Sequence, residues 1–181
     1  YNRTDDVVFG KVVSGRNAPV AGIEDMVGLF INTVPVRVTC AREDSFITLL
    51  RKLQAQAIAG SEHDYCPLAE IQNKSRLGSD LIGVLLAFEN YYTRDLVEYG
   101  RIFTLESARE ETDYALSFTV TEEGEKIHIG LLYAAASYGR EDIGLISQHL
   151  SQLFRSAVTA PETPVSELTM LSEEEICRTT R

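Results

Sequence analysis

Few side chains in this sequence have the type and setting to do chemistry, and the first is a carboxamide. Laid out as a strand, Met26 to Val38 puts Phe30, Asn32, Val34, Val36 and Val38 on one face. Leu29, Ile31, Thr33, Pro35 and Arg37 fall on the other. Burying an unpaired carboxamide costs roughly 1–3 kcal/mol. Asn32 therefore has a hydrogen-bond partner or borders a cavity, and residue type alone favours a tie to nearby backbone. Asp5 and Asp6 are paired acids of the kind used in acid–base work, but at a strand entrance they read as solvated. His63 beside Asp64 invites a catalytic pairing. Adjacent residues on an extended loop point apart, however, and no matching Ser or Cys nucleophile motif accompanies them. That segment reads as a capping or docking loop. His128 has no partner at metal-ligand spacing and reads as a surface or packing residue.

The elements that must position these groups follow from periodicity. Val7 to Val13 is apolar on both faces, as in a strand covered from both sides. Ser14-Gly15-Arg16 ends it, and residues 17–25 form a loop back into the strand that carries Asn32. Pro35 within that strand removes a ladder donor, which predicts an edge, a bulge or the end of regular pairing. Phe46, Leu49, Leu50, Leu53 and Ala57 mark one stripe of a helix over 44–59, with Asp44 as N-cap and Gly60 as stop. Pro67 opens a short helix. Leu81 to Glu89 reads as a buried strand, and residues 90–112 as a long connection or a segment crossing to another body. Tyr114 to Thr121 and Ile127 to Tyr133 alternate about a Glu-Glu-Gly-Glu turn, the clearest hairpin signal in the sequence. Ile143, Ile146, Leu150, Leu153, Phe154 and Ala157 predict a helix over 141–158, with His149 off the stripe and solvated. Thr159-Ala160-Pro161 stops that helix. Beyond it, prolines and an acidic run read as a linker that packs through Val165, Leu168 and Leu171. The predicted class is α+β, an α/β sandwich with a mixed sheet packed with helices.

Composition removes several functions. The 181 residues suffice for one domain with a core. A net charge of −10 without any basic run argues against nucleic acid. No apolar run is long enough to span a bilayer, and no signal-peptide pattern opens the chain. Cys40, Cys66 and Cys177 are odd in number and lack Cys-x-x-Cys spacing. This predicts reduced thiols in a cytoplasmic protein, with no zinc site and no disulfide framework. Strands are not evenly interleaved with helices, and no phosphate-binding glycine loop occurs, so a Rossmann or P-loop reading fails. The first residue is Tyr1 rather than Met, which predicts a piece of something longer.

Gly28 to Arg37, Gly-Leu-Phe-Ile-Asn-Thr-Val-Pro-Val-Arg, resembles the motif (Val/Ile)-Gly-x-Phe-(Val/Ile)-Asn-Thr-x-x-x-Arg of condensation domains in non-ribosomal peptide synthetases. Asp5 to Arg16 resembles the strand leading into that family's floor loop. His63-Asp-Tyr-Cys-Pro-Leu68 is similar to (His/Asn)-Gln-Asp-Tyr-Pro-Phe, with Asp64 where Gln is usual or one residue missing. Ser75-Arg76 matches the end of Arg-Asp-x-Ser-Arg, while Gln72 and Asn73 replace its leading ionic pair. Leu85 to Asn90 fits the strand that follows, and Val165 to Glu175 resembles the join to an adenylation domain.

The resemblance covers only the second half of the family's domain. It implies one lobe of a chloramphenicol acetyltransferase-like fold over residues 1–160, then a linker over 161–181 toward an adenylation domain. The family's reaction motif, His-His-x-x-x-Asp-Gly, belongs to the other lobe and does not occur here, so no catalytic residue is assigned. The implied chemistry is amide formation, an acceptor amine attacking a donor thioester. Both substrates ride on phosphopantetheine arms of peptidyl carrier domains, and no cofactor is bound directly. This lobe would supply a tunnel wall, the floor loop and a docking surface. By carry-over Asn32 would face the tunnel, and Arg37, Arg16, His63 and Arg76 would be inter-lobe or structural contacts. The implied partners are the N-terminal lobe, the carriers and the adenylation domain. An exposed inter-lobe face would also drive copies of an isolated fragment to dimerise. The alternatives are an epimerisation or cyclisation relative and a non-catalytic carrier-binding module.

Overall fold

In the computed structural model, residues 4–89, 112–172 and 175–177 are described. Five strands form one mixed sheet: β1 (Asp6–Val13), β2 (Asn32–Thr39), β3 (Val84–Glu89), β4 (Leu116–Glu123) and β5 (Lys126–Tyr133). Their order is β2-β1-β3-β4-β5. The central β1, β3 and β4 run parallel, and each edge strand is antiparallel to its neighbour. The helices are α1 (Phe46–Gly60), α2 (Leu68–Lys74) and α3 (Arg140–Thr159). The predicted α+β class is the observed one.

The helices α1 and α3 cover the same face of the sheet. Phe9, Val34, Val36 and Leu86 meet Leu53, Ala57 and Ile71 around one cavity, while Phe9, Leu86, Phe118, Val120 and Ile129 meet Leu150 and Phe154 around another. The hairpin β4–β5 forms as its alternation predicts. Its tight turn places Gly124 at φ +62°, a conformation that side chains with a Cβ adopt with strain. Pro35 lies on an edge strand opposite Gly10, where its missing donor leaves no gap in the central ladder.

Several boundaries differ from the sequence reading. The organising strand begins only at Asn32; residues 26–31 lead into it without pairing. β3 starts at Val84, because Gly78–Leu81 is a 3-10 turn. Helix α1 is capped by Ser45, whose hydroxyl accepts from the Thr48 N–H at 3.2 Å. Asp44 is instead occupied by the Ala41 N–H at 2.9 Å and the Lys52 ammonium at 2.6 Å. Gly60 does not stop α1: it stays right-handed, and the chain runs on into a 3-10 turn, Ser61–His63. The α1 stripe is only partly covered, with Leu50 and Ala57 exposed. His149 is not solvated. The tail returns over α3, and Glu175 meets His149 Nε2 at 2.9 Å, leaving the imidazole 16% exposed.

Residues 161–166 lie along the start of α1. The Ile47 N–H donates to the Pro161 carbonyl at 3.1 Å, and the Val165 N–H donates to the Asp44 carbonyl at 2.8 Å. The crossing segment expected over 90–112 lies outside the described residues except for Thr112, as do Glu173 and Glu174 of the acidic run.

Candidate functional site

The start of β2 is held against the 61–66 turn by two carboxamides. Asn32 donates both hydrogens of its amide, to the Asp64 carbonyl at 2.8 Å and the Cys66 carbonyl at 2.7 Å. Asn17, in the loop after β1, donates to the Asp64 carboxylate at 3.0 Å and to the Ser61 carbonyl at 3.2 Å. Asp64 is buried, at 7% exposure. These bonds satisfy main-chain carbonyls that the end of α1 and the following turn leave without helical partners.

The local sequence explains the arrangement. Pro67 bars the preceding residue from helical geometry, so the chain between α1 and α2 cannot close its own hydrogen bonds there. A side-chain donor must reach it, and Asn32 does so from the edge strand. Its donors are consumed by this tie, but its oxygen is not. Among the described residues Oδ1 has no hydrogen-bond partner, and no buried polar atom is left unsatisfied, so Oδ1 faces solvent. The residue thus combines a fixed anchor with one open acceptor.

Next to the tie lies a cavity of about 470 Å³ between β1, β2 and α1, lined mainly by apolar side chains together with Lys11, His63, Asp64 and Cys66. His63 and Asp64 diverge as expected, with His63 exposed and the Asp64 carboxylate turned inward to Asn17.

The other predicted residues surround this centre unevenly. Arg16 donates to the carbonyls of Ile23 (2.5 Å), Glu24 (3.4 Å) and Met26 (3.0 Å), and its guanidinium lies 4.4 Å from the centre of the Phe30 ring. It therefore braces the segment that leads into Asn32. Arg37, at the far end of β2, makes a two-point contact with Asp6, Nε to Oδ1 at 2.9 Å and a terminal nitrogen to Oδ2 at 2.6 Å. That pairing holds the Asp6 carboxyl below its ordinary range, so Asp6 is engaged rather than simply solvated. Arg76 is exposed, between Ser75 and Leu77, which share a cleft with Asp6 and Arg37. His128 is exposed, 3.5 Å from Glu123.

Sequence reasoning missed Asn17 and the inward role of Asp64. Both lie in loops, where no periodicity marks a side chain as turned inward. Among the described residues no cluster of His, Cys, Asp and Glu could hold a metal ion, and no helix is long and apolar enough to cross a membrane.

Comparison with known proteins adds the context of this geometry. A family model described as "Condensation domain" matches residues 1–177. Tyrocidine synthase 3 of Brevibacillus parabrevis is 39% identical over 180 residues, which is 97% of this chain and 3% of that protein. Bacitracin synthase 3 of Bacillus licheniformis is 40% identical over 182 residues, with the same two coverages. The chain thus spans a small fraction of the length of the relatives it matches. In fold it is similar to the starter condensation domain of rhizomide synthetase, with a TM-score of 0.70 and 15% identity, over 93% of this chain and 41% of that one.

Proposed function

This chain belongs to the condensation-domain family, and from that membership we propose that it is the C-terminal lobe of a peptide-synthetase condensation domain. Its fold is the chloramphenicol acetyltransferase-like fold of those domains. The observation that carries the lobe reading is the coverage: nearly all of this chain superposes on 41% of a condensation domain. The lobe's task is to provide one wall of the passage in which an acceptor amine attacks a donor thioester, together with the floor loop and carrier docking surface. The substrates arrive on phosphopantetheine arms of carrier domains, and an adenylation domain follows beyond residue 160. The free thiols at Cys40, Cys66 and Cys177 fit a reducing, cytoplasmic setting.

In this reading catalysis rests on placement. Fixing amine and thioester in one passage removes up to ~7–11 kcal/mol of barrier in favourable cases. When the bond forms, the amine nitrogen adds to the thioester carbon, loses a proton, and expels the donor thiolate. The lobe contributes no group that takes that proton. Asn32 contributes its open Oδ1, an acceptor for the acceptor amine's N–H, held still because both amide hydrogens are engaged. The tie to 61–66 and the contact with substrate are then two uses of one carboxamide.

The test uses the intact domain with donor- and acceptor-loaded carriers, read by mass spectrometry of the carrier-bound product. The expected result is a dipeptidyl thioester on the acceptor carrier. An inverted donor stereocentre or a heterocyclic product would move the assignment to the epimerisation or cyclisation relatives. Binding of carriers without any product would leave a docking module.

A further inference from the structure

The segment before Asn32 has two unlike sides. Val27, Leu29 and Ile31 are 103%, 91% and 60% exposed, and Met26 beside them is also exposed. Isolated exposed aliphatics are ordinary, but alternate residues of one short stretch, all bare, form a continuous edge. The segment's main chain is equally unused: among the described residues no N–H from 27 to 31 makes a main-chain hydrogen bond, and pairing with β1 stops at Val13 and Asn32.

This edge is nevertheless held in place from behind. Arg16 grips the carbonyls of Ile23, Glu24 and Met26 and stacks on Phe30. Gly15, at φ +67°, lets the Phe30 carbonyl approach so closely that a Cβ would lie 1.8 Å from its oxygen. Asn32 anchors the far end. A backbone already ordered before contact lowers the entropic cost of docking.

We propose that Val27, Leu29 and Ile31 form the edge on which the rest of the condensation domain docks, through aliphatic contact and main-chain pairing. This rests on reading the chain as one lobe. The occupant follows from coverage: the chain accounts for 41% of one solved condensation-domain chain and 38% of another, the first condensation domain of the CDA synthetase. More than half of such a chain is therefore available to cover the edge. The chemistry agrees. Permanent interfaces are the more hydrophobic ones, whereas a carrier that must leave in every cycle suits a smaller, more polar patch. The edge carries no charged side chain from Met26 to Ile31.

Hydrogen exchange on the intact domain, without carriers, tests this. Amides 27–31 should exchange about a hundredfold or more slower than the unstructured-peptide rate, and Leu29→Asp should return them toward it. Exchange near the unstructured rate in the wild-type domain would overturn the proposal. So would protection that arises only on adding carrier, or that depends on protein concentration and so reports a second copy. Product formation is measured on the same sample. An active domain with a bare edge rejects the docking edge and keeps the lobe reading; an inactive domain with a protected edge does the reverse.

Discussion

The two ends of β2 are held by different chemistry. At its start, the half-buried Asn32 gives both amide hydrogens to main-chain carbonyls of the 61–66 turn. Near its other end, Arg37 pairs with Asp6 across the sheet edge, with side chains 68% and 41% exposed. The second contact carries full charges and good two-point geometry. The first is neutral, yet it should matter more, because water can replace an exposed ion pair but cannot easily reach carbonyls packed beneath a turn.

The comparison can be broken most readily at Asn32. Asn32→Ala should lower unfolding free energy by roughly 1–3 kcal/mol in urea denaturation, since it leaves two acceptors without their donors. Asn32→Asp retains the shape and an acceptor oxygen but loses the donors, and should be no more stable than the alanine variant. If Asn32→Ala is as stable as the wild type, the carboxamide is not an anchor. In the intact domain, condensation by a stably folded Asn32→Ala should still be slowed about tenfold or more, as for a lost preorganised contact. Unchanged turnover would leave Asn32 with the structural tie alone.

Arg16 sharpens the contrast from the same side of the sheet. Arg16→Lys keeps the charge but loses the planar stack on Phe30 and the reach to several carbonyls. A loss of about 1 kcal/mol is expected, together with faster exchange of amides 26–31 in the isolated chain.

A third contact lies between the extremes. Ser172, through its N–H and hydroxyl, and His149 draw the Glu175 pKa down from 4.5 to about 2. A depressed carboxyl favours the folded state fully above its unfolded value, and this advantage is lost as pH falls from about 4.5 through about 2. Titration of the Glu175 carboxyl by NMR should therefore show a midpoint near 2, and Glu175→Gln should flatten the acid side of the stability profile. A midpoint at the ordinary glutamate value would mean that the tail does not hold to α3 in solution.

The smallest effect is expected at Arg37. Arg37→Gln should change stability little, and what change there is should shrink further in high salt. Asp6 should titrate below its ordinary range in the wild type and return to it in the variant. A large loss at Arg37 would reverse the comparison between the two strand ends.

Much of this was legible in the sequence because alternation and helical spacing report which faces meet a core. The hairpin, the edge position of β2, both long helices and the class followed from those periods. The tie between Asn32 and the turn was legible only as an alternative, since residue type says that a carboxamide needs a partner but not where that partner lies. Asn17, the inward carboxylate of Asp64 and the His149–Glu175 contact were not legible. Each joins residues distant in sequence through a loop or tail, and no local pattern encodes that meeting. Asp44 was read as the cap of α1 because Asp and Ser are nearly equivalent there; its capture by Lys52 and Ala41 decided in favour of Ser45. The bare edge at 26–31 was taken for regular strand, since an apolar alternation looks the same whether its partner strand is present or not.

The central claim is that this chain is one half of a catalytic body and does nothing alone. The direct measurement is transfer between loaded carriers by the 181-residue chain, alone and joined to the lobe that precedes it in its native protein. The account predicts no carrier-bound dipeptide from the chain alone and steady turnover once the lobes are joined. Turnover by the chain alone would contradict it.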